Sequence, residues 1–184
     1  MRHSILMVSA GTALVAACVA NPDGAVETAA AGSDIYYLRA GMIEDINPPT
    51  EAIWNMQVEV MDDLGNFDPA LMTEQHWIDL ENHARILASA SARMALADAY
   101  VAADPSGPYT EAPVGTDLAA IQQRLDANPE AYRAFATNLG EHTERLLSAA
   151  RSRDAGMVTQ LVNDLQPNCK ACHDVFWYPE EYQQ

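Results

Sequence analysis

Apolar residues recur at alternating steps of three and four along three long segments of this chain, and no other feature constrains its fold more. Such steps are typical of helices that pack side by side, because positions three and four apart share one helix face. The seam of the first of these segments consists of Trp77, Leu80, Ala84, Leu87, Ser91 and Met94. No run alternates convincingly with a period of two residues. The sequence therefore predicts an all-α fold, an antiparallel four-helix bundle without a sheet.

The breaks between these segments suggest where the helices begin and end. One helix is predicted over residues 72–101 and is followed by a loop over residues 103–116, which contains three prolines and two glycines. Pro129 is well placed for the first turn of the next helix, because its missing N–H needs no acceptor there. The last long helix is predicted over residues 156–177, with Pro167 inside it.

The N-terminal part of the bundle is less regular. Residues 34–47 favour a short helix with Met42 on its apolar side, and residues 50–64 favour a second one. Pro48 and Pro49 stand between them and predict an interruption or a kink, because proline lacks a donor and restricts the residue before it.

The start of the chain resembles an export signal. Residues 1–17 combine a short positive end with an apolar stretch, which is too short for a membrane span of about 20 residues. The residues before Cys18 resemble a lipobox and predict a lipid-modified cysteine there, although cleavage after Ala20 is an alternative. Residues 18–33 would form a flexible tether, and residues 34–184 the folded domain. We expect a periplasmic protein that is lipid-anchored to a membrane, or a soluble periplasmic one after the alternative cleavage.

The formal charge of the 184 residues is −16. Such a chain repels nucleic acid and anionic lipid headgroups, so a nucleic-acid-binding function is excluded. The charge suits a basic protein partner, and it also keeps an exported protein soluble.

A short motif near the C-terminus carries the chemistry. Cys169, Lys170, Ala171, Cys172 and His173 form the signature of covalent haem attachment. Cysteines three apart on a helix project to one side, where they can form thioethers with haem, and the adjacent histidine can ligate the iron. A thioredoxin-like redox pair would normally follow a strand, and none is predicted here. A zinc site would need a further pair of suitably placed ligands.

With this motif on the last of four helices, the sequence resembles the cytochrome c′ family over roughly residues 34–184. The resemblance implies one covalent haem c bound through Cys169 and Cys172, with iron ligated by His173. In this family the distal side of the iron faces the first helix, and residues 38–42 match that position best. The resemblance thus indicates Met42 as the distal iron ligand.

The family includes two kinds of protein, and both stay open for this chain. A six-coordinate iron with Met42 would make it a one-electron carrier for a redox protein partner in the periplasm or membrane. An open iron would make it a binder of a gas such as nitric oxide. Enzymatic activity such as that of a peroxidase is not expected. It would need a distal acid–base group beside an open iron position, and His142 is the only obvious candidate, with no second polar group that can be placed beside it. His142 is otherwise read as a hydrogen-bonded core residue or as a second iron ligand. The resemblance also permits a homodimer.

Overall fold

The computed structural model describes residues 34–178. The predicted signal, the tether with Cys18 and the last six residues lie outside the described residues. Three long helices follow the N-terminal region: α3 (Glu74–Leu96), α5 (Pro129–Ser152) and α6 (Ala155–Phe176). A shorter helix, α4 (Leu118–Ala127), lies between α3 and α5 in the chain. A 3₁₀ turn, Pro69–Leu71, precedes α3. Within this part of the chain no helix is both long and apolar enough to cross a membrane.

The ends of these helices follow from their sequences. Thr73 caps α3, because its hydroxyl accepts from the backbone N–H of His76 at 3.3 Å while His76 Nδ1 accepts from the N–H of Thr73 at 3.2 Å. Pro129 occupies the first turn of α5, as predicted. Asp154 caps α6, accepting from the N–H of Met157 at 3.0 Å. The connection between α5 and α6 is so short that the two helices must run antiparallel.

The predicted seams form the core. On α3, every seam position from Leu80 onward is buried, and Trp77 is half-buried. Helix α3 packs against α5, and α5 packs against α6. Each fully buried leucine in this core contributes about 1.5 to 3 kcal/mol relative to an exposed one. This packing confirms the all-α bundle and the placement of the haem motif on its last helix.

The N-terminal region differs from its prediction. It is one helical run made of a single α turn, α1 (Leu38–Ala40), a π-helical segment (Gly41–Ile46) and α2 (Asn47–Glu59). Pro48 and Pro49 do not interrupt it, because they fall in the first turn of α2, after the wider π turn, where prolines need no acceptors. Helix α2 packs against α3 and α6 and so completes the bundle.

A small parallel sheet was not predicted. Strand β1 (Ile35–Tyr37) pairs with β2 (Ala99–Val101), with Tyr36 opposite Tyr100. Each strand has three residues, which is too short to show an alternating pattern in sequence. The pairing ties the start of the N-terminal run to the chain segment that follows α3.

Candidate haem-binding site

Three residues of the CKACH motif line one wall of a cavity of about 230 Å³. Cys169, Cys172 and His173 lie well inside α6, where their spacing directs them to the same side of the helix. All three are half-buried. The structure thus brings together the residues that the sequence predicted to hold and ligate haem.

The N-terminal run supplies a second wall of this cavity. Met42 lines it from the π segment, and Ile46 follows one turn later. Trp54 of α2 also lines the cavity, and further apolar lining from α3 and α5 comprises Met94, Phe135, Ala136 and Leu139. All four helical regions of the bundle therefore contribute to a single, mainly apolar cavity.

One edge of the cavity reaches the surface. Trp54, Cys169 and His173 also line a second, more open cavity, whose outer residues include Lys170, Asp174 and Tyr178. Lys170 is exposed and pairs with the carboxylate of Asp174. A group held at the motif would thus have one side inside the bundle and one side near solvent.

Burial sets the protonation of the motif. It raises the pKa of the Cys169 thiol to about 11. It raises that of the Cys172 thiol to about 12, with a further contribution from nearby Cys169. Burial also lowers the pKa of His173, against the opposing effect of Asp174. At neutral pH the site therefore presents two protonated thiols and a neutral imidazole, which is the form that binds a metal.

These residues fit a covalently bound haem. Two thiols on one helix face can add to two vinyl groups, the neutral imidazole beside them can bind iron, and apolar walls can enclose a flat ring. They do not fit a thioredoxin-like pair, which needs a thiol of lowered pKa, whereas both pKa values here are raised. Moreover, the helix that carries Cys169 begins well before it, at Ala155.

His142 lies elsewhere. It is buried on α5 and does not line the cavity described above. Its Nε2 lies 2.8 Å from the backbone oxygen of Leu161 and must donate there, since a carbonyl only accepts. Its Nδ1 then accepts from Asn168 Nδ2 at 3.3 Å. The hydrogen-bonded core interpretation of His142 is supported, and neither iron ligation nor distal acid–base chemistry is.

Two contributors to the cavity region were missed from sequence. Met94 lies on the predicted seam of α3 and is buried there, but it also lines the cavity. Gly41 precedes Met42 inside a helical run, and a glycine in such a place is a signal of close packing. Its neighbour in space is Tyr36, which sequence reasoning did not connect with the site.

Comparison with protein families agrees with this geometry. The family model described as Cytochrome C' matches residues 80–177, just over half of the chain. No curated protein and no solved structure matches. The fold and site define a haem c protein of the kind that serves in electron transfer or gas binding. The chain belongs to the cytochrome c′ family, whose members are typically periplasmic and generally non-enzymatic. The matched residues include the CKACH motif and do not include Met42.

Proposed function

We propose that this protein is a one-electron carrier. In this proposal Cys169 and Cys172 hold the haem, and His173 and Met42 are its two iron ligands. The observation that carries it is the presence of Met42, from a separate helical run, in the same cavity as the three motif residues. When bound, haem supplies a one-electron couple at its iron, and a Met/His pair raises the reduction potential of that couple.

The other methionines of this region are less suitable ligands. Met94 also lines the cavity, but its sulfur accepts a hydrogen bond from the hydroxyl of Tyr132 at 3.1 Å. Met56 is buried in the core outside the cavity lining, and Met61 is 37% exposed beyond the end of α2. Met42 is therefore the sulfur that the cavity offers to an iron.

The packing around the site suits electron transfer. Side chains of the helical bundle surround the cavity except at one edge, and such packed interiors change little when a charge is added or removed. The haem edge would lie near Trp54, which lines both the inner cavity and the open one. The net charge of −16 favours a basic redox partner at long range.

Substitution of Met42 tests the proposal. In Met42→Leu, which conserves volume, we expect the ferric iron to turn from low-spin to high-spin, with loss of the sulfur-to-iron charge-transfer band and a lower reduction potential. Absorption and resonance Raman spectra of the haem-loaded protein measure this. The matched control is Met56→Leu, which removes a sulfur from the same helical run but outside the cavity and should keep the band.

A different result would point to the second kind of protein in this family. If the unsubstituted protein is already high-spin, and its spectrum does not respond to Met42→Leu, the iron has an open distal side. Ready binding of nitric oxide would then support gas binding on the side of the cavity formed by Met42 and Ile46.

We also propose export to the periplasm and attachment to a membrane through a lipid on Cys18. The support is the sequence of residues 1–18, together with the typical location of the family. Mass spectrometry of the mature N-terminus tests this. A diacylglyceryl cysteine at position 18 would support the anchor, and an unmodified terminus at Asn21 would show a soluble protein instead.

A further inference from the structure

The ring of Tyr36 lies directly over Gly41, the residue before Met42. A β-carbon placed on Gly41 would overlap Oη and Cζ of Tyr36 and come within 2.8 Å of its Cε1. Real β-carbons essentially never approach other atoms more closely than 3.0 Å. No side chain can therefore be added at position 41 unless Tyr36 or the π segment moves.

Glycine is needed here for space and not for backbone conformation. The φ and ψ angles of Gly41 are −58° and −40°, which any residue adopts in a helix. A helical glycine costs about 1 kcal/mol relative to alanine, so its use at this point has to bring another advantage. The close approach of the Tyr36 ring is that advantage.

The backbone of Tyr36 is held by strand pairing, and its side chain is held by packing. Its backbone belongs to β1, in register with Tyr100 of β2. Its Oη is buried and has no hydrogen-bond partner among residues 34–178. Because no hydrogen bond from residues 34–178 directs the phenol, packing sets the position of the ring, and Gly41 forms one of the surfaces on which it packs.

Both ends of the segment that contains Gly41 and Met42 are tied to the rest of the bundle. The N–H of Arg39 donates to the carbonyl of Ala102 at 3.0 Å, just beyond β2. At the other end, Asp45 pairs with Arg93 of α3 at 2.9 Å. Between these ties the chain forms π turns, a geometry often found at functional sites.

We propose that Tyr36 and Gly41 are a positioning pair for the distal ligand. The ring of Tyr36 acts as a stop for the π segment, and the missing side chain of Gly41 lets the segment come close enough for Met42 to reach iron. This inference rests on the proposed ligation by Met42. Neither residue touches the iron, and both act through the placement of Met42.

The decisive variant is Gly41→Ala. The added methyl group displaces the segment from Tyr36, so we expect loss of the sulfur-to-iron charge-transfer band and a high-spin ferric spectrum, while haem stays covalently attached. The matched control is Gly140→Ala on α5, where a β-carbon would meet only Ser91 Cβ at an ordinary 3.7 Å. That control should keep the band of the unsubstituted protein.

A second substitution tests whether the effect is steric. Tyr36→Leu removes Oη, Cζ and Cε1, the three atoms that a side chain at position 41 would meet. The double variant Tyr36→Leu with Gly41→Ala should therefore regain at least part of the band that Gly41→Ala loses. Tyr36→Phe keeps the ring and removes only Oη, the atom nearest position 41, so it should weaken the band less than Tyr36→Leu does.

The outcomes separate this inference from the proposed function. If the unsubstituted protein has no charge-transfer band, ligation by Met42 is wrong, and the inference falls with it. If the band is present and Gly41→Ala retains it, the positioning role alone is overturned. If Gly41→Ala does not accumulate as a folded protein, the single variant Tyr36→Leu tests the positioning role instead. We expect it to weaken the band through loss of the stop, and an unchanged band would overturn the inference.

Discussion

The two ligand-bearing walls of the cavity are built in different ways. Helix α6 is continuous from Ala155 to Phe176, with Pro167 inside it, and its three site residues lie within five positions of one another. The N-terminal wall passes from a strand through a single α turn and a π segment into α2 before the chain leaves the site. In α6 the local helix alone directs Cys169, Cys172 and His173. On the other wall, distant contacts direct Met42.

This difference predicts how each wall responds to substitutions that remove a supporting contact. Loss of a contact outside α6 should lower stability without changing which motif residues face the cavity, because helical periodicity still directs them. Loss of a contact behind the N-terminal wall should change the ligation of the iron, since contacts with β2 and α3 fix the position of the π segment relative to the cavity. Variants on each side can separate haem attachment, stability and distal ligation.

The largest effect is expected at the motif itself. Replacing both Cys169 and Cys172 with serine should abolish covalent haem, because a serine hydroxyl does not form the thioether. Haem staining after denaturing electrophoresis and the pyridine adduct spectrum measure this. Cys18→Ser is the matched control and should retain all its covalent haem. Haem that stays covalently bound in the double variant would contradict the assignment of the motif.

The next effect concerns support for α6 from α5. In His142→Leu the carbonyl of Leu161 loses its histidine donor in the buried core, while Asn168 loses one of its two acceptors and keeps the carbonyl of Asp164 at 2.8 Å. We expect the free energy of unfolding to fall by about 1 to 3 kcal/mol, the usual cost of leaving buried polar groups unpaired. Denaturant unfolding measures it. The charge-transfer band should not change. Its loss would show that the orientation of the motif residues on α6 depends on contacts with α5 as well as on the helix itself.

The contribution of His142 to stability should depend on pH. Burial lowers the pKa of His142 below its ordinary value of about 6.5. The unfolded chain thus takes up a proton at higher pH than the folded one. The stability that His142 contributes is complete above pH of about 6.5 and is lost as pH falls through the lowered pKa. The difference in Tm between the natural protein and His142→Leu should therefore narrow on acidification, and a constant difference would contradict this.

A smaller effect on stability is expected behind the N-terminal wall. The side chain of Gln122 on α4 accepts from the N–H of Ala102 at 2.8 Å and donates to the carbonyl of Tyr100 at 3.2 Å, which holds β2 in place. Gln122→Ala should cost about 1 to 2 kcal/mol of unfolding free energy.

The absorption spectrum of Gln122→Ala tests whether the N-terminal wall depends on distant contacts. Because β2 supports β1 and hence Tyr36, Gln122→Ala should weaken the charge-transfer band even though it lowers stability less than His142→Leu does. Covalent haem should stay at its full level. A band that is lost in His142→Leu and kept in Gln122→Ala would reverse the roles assigned to the two walls.

The sequence by itself determined the bundle and the motif. The seams of α3, α5 and α6 repeat over six turns or so, and such long periodic patterns predict helices well because each turn repeats the same signal. The position of Pro129 and the loop over residues 103–116 are local signals of the same kind. Once Cys169, Cys172 and His173 are in a helix, their spacing alone places them on the same side of it.

Only the tertiary structure decided the form of the N-terminal wall. Pro48 and Pro49 predicted a break, yet the run continues, because the π turn before them places both prolines where no donors are needed. The strands that anchor Tyr36 are too short to leave a pattern, and they pair across more than sixty residues of chain. Local sequence cannot encode a contact of that kind, so the place of Met42 in the cavity follows from the packing of Tyr36 on Gly41.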